Sequence, residues 1–117
     1  LQATPTTVGT FVSNLPANAP AVAAGNLPSA NSAATEYTAK SSLMAFDNLG
    51  GQVTLDVYST KTGPSTWEVT IFNQADAGSP SVFPYSAAPL ATTTLTFDPM
   101  NGKLAASSNS TVAFTVP

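Results

Sequence analysis

The chain contains no cysteine, no histidine and no arginine. The first absence excludes disulfides, thiolate nucleophiles and zinc–sulfur sites together, and it leaves the redox compartment open. The second removes the usual general base near neutral pH and the commonest nitrogen ligand for metals. Without arginine there is no bidentate fork for phosphate. Charge is scarce as well, at 8% of residues with a net charge of −3. Binding a nucleic-acid backbone draws on clustered cations, and Lys40, Lys61 and Lys103 are scattered, so no nucleic-acid partner is expected. No run of 18 apolar residues is present, and no membrane partner is expected either. Helix signals are equally thin. The one Ala-rich region, residues 17–37, is broken by Pro20, Gly25 and Pro28 before an apolar stripe completes three turns.

What remains is a sheet composition. The 117 residues include 17 Thr and 13 Ser beside 43% hydrophobic residues. Threonine suits the outer face of a strand, and so much apolar content argues against a solvated disordered tail. The length is that of one domain, since single domains commonly run to about 100–150 residues. Such a chain buries somewhat under ~70% of its unfolded surface, enough for a core without staples. It begins "LQATPTTVG", with neither an initiator Met nor a signal-peptide pattern, and it is expected to be a single β domain, residues 1–117, excerpted from a longer protein.

Strand signals recur along it. Residues 6–15 are β-branched and aromatic up to Pro16, and residues 35–47 end apolar before the turn "NLGG". The clearest alternation follows. Val53, Leu55 and Val57 alternate with Thr54, Asp56 and Tyr58, and Trp67, Val69 and Ile71 alternate with Glu68, Thr70 and Phe72. Period two means one face toward a core, and Gly63 and Pro64 between the runs predict a hairpin. Register is argued from charge: Tyr58 opposite Glu68 keeps Asp56 against Thr70, whereas a two-residue slip would oppose Asp56 and Glu68. Residues 74–91 carry Gly78, Pro80, Pro84 and Pro89 and form a second long loop after that of residues 17–37. A strand with Leu95 and Phe97 inward, a turn through Asp98, Asn101 and Gly102, a short return through Leu104 and an alternating run over residues 110–117 complete the pattern. The expected fold is all-β, an antiparallel barrel or sandwich of about six to eight strands with two long loops and essentially no helix.

Catalytic chemistry finds little support. A glycosidase needs two carboxyl groups in one cleft, and the best-placed pair, Asp56 and Glu68, falls on what the alternation makes a solvated sheet face. Asp98, Asn101 and Gly102 lack the ligand spacing of a calcium loop, and Asp47 beside Asn48 is more simply a turn cap. No catalytic, metal or cofactor residue is therefore assigned. Aromatic side chains could stack on a sugar, yet Trp67 is in phase with Val69 and Ile71 and belongs with a core. Tyr58 and Phe72 stand on the opposite phase. They call either for a second layer over that face or for an exposed interface, and they are the candidate intersubunit contact residues.

"AFDNLGGQVTLDVYSTKTGPSTWEVTIFN" followed by "LTFDPMNGKL" resembles the outer β domain of the bacterial flagellar hook protein family. That family carries an apolar-Asp-x-Leu-Gly turn, an alternating strand, a Trp in the next strand and a later Thr-Phe-Asp-x-x-Gly-x-Leu turn. Asp47, Leu49, Gly50, Leu55, Val57, Trp67, Val69, Leu95, Phe97, Asp98, Gly102 and Leu104 match it, as a core and turn signature. Gly51, Gln52 and Val53 depart from the Asn and polar-His pair that often follow the turn glycine. The resemblance implies a structural subunit rather than an enzyme. Many copies would assemble into a curved extracellular tube that transmits motor torque as a universal joint, exported without a cleaved signal peptide. It implies terminal helical segments outside this excerpt, self-association in the polymer, cap and junction proteins as further partners, and a monomeric isolated domain. The alternative is a secreted Ig-like or carbohydrate-binding adhesion module.

Overall fold

The computed structural model describes residues 5–8, 19–46, 49–79, 81–97 and 112–115. Among them are six strands: β1 (Pro5–Val8), β2 (Ala39–Phe46), β3 (Gln52–Lys61), β4 (Thr66–Asn73), β5 (Ala91–Thr96) and β6 (Val112–Thr115). Strands β2 to β5 form one antiparallel sheet in sequence order, and β1 pairs antiparallel with β6, Pro5 opposite Thr115. Three single 3-10 turns interrupt the loops, and the described residues contain no α-helix. The chain is thus all-β around a four-stranded antiparallel sheet. The expected return strand through Leu104 and most of the strand expected over residues 6–15 lie outside the described residues, as do Asp47, Asp98 and Gly102.

Local chemistry explains the sheet. Gly50, at φ +84°, supplies the left-handed backbone that lets β2 turn into β3. Four residues, 62–65, join β3 to β4, and the Thr62 amide closes the loop on the Thr66 carbonyl at 2.9 Å. That closure sets Thr60 opposite Glu68, Tyr58 opposite Thr70 and Asp56 opposite Phe72. The register expected from charge repulsion is displaced by two residues. The pairing in the structure also keeps the two carboxyl groups apart, so repulsion alone could not choose between them, and the loop length did.

One face of the sheet is apolar as the alternation requires. Ala45, Leu55, Val57, Trp67, Val69, Ile71 and Leu95 form a buried cluster, with Leu43, Val53 and Phe97 packed at its margin. Trp67 is 4% exposed and Val69 fully buried, which places the single tryptophan in the core. Burial of a large aromatic contributes roughly 1.5–3 kcal/mol relative to exposure, so this face supplies much of the driving force for the sheet.

Candidate contact surface

The opposite face is where the sequence left a choice, and the structure covers it with the chain's own loops. Tyr58 is 0% exposed and Phe72 1%, inside a second cluster with Phe83 and Tyr85 from the loop between β4 and β5. Phe72 and Tyr85 stack with centroids 4.1 Å apart and planes 11° from parallel. Phe83 meets Phe72 edge-on at 5.6 Å and Tyr58 at 5.0 Å. Edge-to-face and offset pairs satisfy the ring quadrupoles, each adding about 0.5–1.5 kcal/mol to plain burial. The expectation that Tyr58 and Phe72 offer a contact face to a neighbour is corrected: their own chain already occupies it.

Asp56 and Glu68 are likewise not solvated, being 1% and 8% exposed. Buried carboxyl groups require donors, and each finds them in a different loop. Ser29 donates to Glu68 through its hydroxyl at 2.9 Å and its amide at 3.4 Å, and the Thr70 hydroxyl adds a third bond at 2.8 Å. Glu68 so fastens the loop of residues 19–38 to β4. Asp56 receives the Tyr85 hydroxyl at 2.5 Å and the Gln74 amide at 3.3 Å, fastening the second loop to β3. Tyr85 has one hydroxyl proton, and that proton points at Asp56. The Tyr58 hydroxyl, 2.7 Å from Tyr85 Oη, must therefore donate to it. Burial pushes the Tyr85 phenol far above the ordinary tyrosine range, and its bond to Asp56 adds to the effect. Burial raises Tyr58 too, opposed by Lys40, whose ammonium lies 5.5 Å over the ring.

The loops also hold each other. The Asn31 side chain accepts from the Tyr85 amide at 2.7 Å and donates to the Tyr85 carbonyl at 2.9 Å, replacing a strand neighbour for that residue. Asn31 sits in the left-handed region at φ 51°, which asparagine tolerates better than most residues. Gly78 completes the second loop: a Cβ there would meet the Ser81 and Pro84 carbonyl oxygens at 2.7 and 2.8 Å. Two carboxyl groups and one carboxamide thus clamp the two long loops onto a face that alternation alone would leave wet.

This arrangement supports no acid–base chemistry, because both carboxyl groups are committed to internal donors. It supports no aromatic sugar platform from Trp67, Tyr58, Phe72 or Tyr85, since all four are buried. No group of three acidic or imidazole side chains is placed to hold a metal among the described residues. The described surface does present some large apolar side chains. Met44 is 58%, Phe46 62% and Leu49 90% exposed, on edge strand β2 and the turn after it, with Tyr37 and Val82 less so. The sequence pattern singles out Leu49 only as part of the turn motif, and Met44 and Phe46 not at all. The signal was there, because β2 is apolar on both phases at its end.

Comparison with known proteins yields one consistent result. Residues 14–117 match the family model of the flagellar basal body protein FlaE D2 domain. The chain is 37% identical, over 109 residues, to the flagellar hook proteins FlgE of Brucella abortus biovar 1, Brucella suis biovar 1 and Brucella melitensis biotype 1. The match covers 93% of this chain and 22% of each of those proteins, so the chain spans about a fifth of the length of the relatives it matches. No solved structure matches it.

Proposed function

The chain belongs to the family of the flagellar FlaE D2 domain, and on that premise we propose that it is an outer structural domain of a hook subunit, with no catalytic role. The observation that carries this reading is identity to hook proteins sustained over nearly the whole domain rather than over one motif. The parent subunit would polymerise with copies of itself outside the cell into the curved joint between motor and filament, meeting cap and junction proteins at its ends. Terminal helical segments beyond this domain would build the inner tube, and export would proceed without a cleaved signal peptide. The sheet and the β1–β6 pair would close as a small barrel or sandwich. The surface composition fits a joint whose subunits shift against one another on each turn. With 8% charged residues there are few salt bridges to break, and Thr and Ser hydroxyls re-pair with water or with each other at small cost.

Two measurements test this. Antibody raised against the domain and used to label flagellated cells carrying the parent gene should decorate the short curved segment at the filament base; label confined to another structure refutes the assignment. The isolated domain should sediment as a monomer, and a tight dimer would contradict contacts built to slide.

A further inference from the structure

Among the described residues the two loops leave parts of the second sheet face exposed, and the apolar part of what is exposed is the corner at the end of β2. Met44 and Phe46 alternate with Leu43 and Ala45, which pack on the first core, so they project from the second face. Their cross-strand partners are Thr54 and Gln52. Those two residues open a groove of about 250 Å³ whose far wall is Asn73, Gln74 and Ala75. An apolar ridge and an uncharged groove therefore lie side by side, with Leu49 at the adjoining turn.

We infer that this corner is the surface on which the outer domain of a second copy of the chain rests in the assembled hook, an inference built on the subunit reading above. Area decides the kind of partner. The exposed parts of Met44, Phe46 and Leu49 together amount to about 400 Å², a size at which exposed apolar patches on monomers are often functional. That is about half of the ~800 Å² per partner of a stable protein pair. A patch this small cannot hold a soluble partner alone. It suffices where the partner is another copy held nearby by the rest of the polymer, because the contact is then intramolecular in effect and repeats with every subunit.

The test uses the full-length subunit. A photo-crosslinking amino acid replaces Phe46, and assembled hooks and dissociated subunits are irradiated at equal concentration. Crosslinks from position 46 into residues of this same domain in a neighbouring copy, present in hooks and absent from free subunits, are expected. Assembly without such crosslinks, or with crosslinks only to other regions or other proteins, overturns the contact and leaves the subunit reading standing. Failure of the parent protein to enter hooks at all overturns both. A second variant, Met44→Ser with Phe46→Ser, changes only exposed positions, and its fold is checked by Trp67 fluorescence. It should raise the critical concentration for assembly about tenfold, the equivalent of ~1.4 kcal/mol. An unchanged critical concentration in the folded variant also overturns the contact.

Discussion

Replacing Tyr85 by Phe removes one oxygen from the centre of the second face. Its consequences follow from the chain of donors. Asp56 loses its shortest bond and keeps only Gln74 at 3.3 Å, while the Tyr58 hydroxyl loses its acceptor. A hydrogen bond to a charged group contributes about 1.5–3 kcal/mol, and a buried hydroxyl left without a partner costs a further ~1–3 kcal/mol. The ring stays stacked on Phe72, so no cavity larger than the lost oxygen opens. The expected destabilisation is therefore about 2.5–6 kcal/mol. Tyr58→Phe should cost only about 1 kcal/mol, because Tyr85 still serves Asp56 and loses just one neutral donor. The two together should cost less than their sum, since Tyr58→Phe removes the hydroxyl that Tyr85→Phe orphans, giving a coupling of about 1–2 kcal/mol. Urea unfolding followed by the fluorescence of Trp67, which lies on the other face, measures all three. Additive costs, or a Tyr85→Phe cost no larger than that of Tyr58→Phe, would refute the direction of donation argued here.

Two further outcomes test the same clamp. Because burial raises both phenols above the unfolded value near pH 10, their contribution to stability is complete below that pH and fades as the pH climbs through the folded values; in a Tyr37→Phe background, which removes the exposed phenol, ultraviolet absorbance should show both ionising only with alkaline unfolding, and reversible ionisation near pH 10 with the fold intact would contradict their burial. Glu68→Ala should free residues 28–30 from β4, costing roughly 2–3 kcal/mol and accelerating amide exchange at Ser29, whereas unchanged exchange there would mean the loop is held by something else.

The first core was legible because a half-buried strand writes its inward face at period two, and Leu55, Val57, Trp67, Val69 and Ile71 obey it. The family was legible too, from the turn and strand motifs, and the comparisons bear that resemblance out. The second face was not. Alternation assigns Asp56, Glu68, Tyr58 and Phe72 to a side away from the core, and nothing in a local window says what covers that side. The covering contacts join positions far apart, Ser29 to Glu68, Asn31 to Tyr85 and Asp56 to Tyr85, and they come from loops broken by proline and glycine that carry no periodic signal. The misplaced register has a similar origin. Its deciding atoms are the Thr62 and Thr66 groups that close the hairpin, whereas the argument from sequence weighed only charges. The exposed Met44 and Phe46 could have been singled out, since an edge strand apolar on both phases cannot bury both in one sheet.

The antiparallel pairing of β1 with β6 sets how the domain meets mechanical load. Pro5 and Thr115 are partners at one end of that ladder, so tension applied to the two of them pulls the strands apart across the ladder rather than along it. Rungs then open singly from the Pro5–Thr115 end, each at low force, in the manner of a zipper, while the four-stranded sheet bears none of the pull until the ladder is spent. A pull applied at this end would therefore spend itself on the β1–β6 rungs before the first hydrophobic core entered the path of the force.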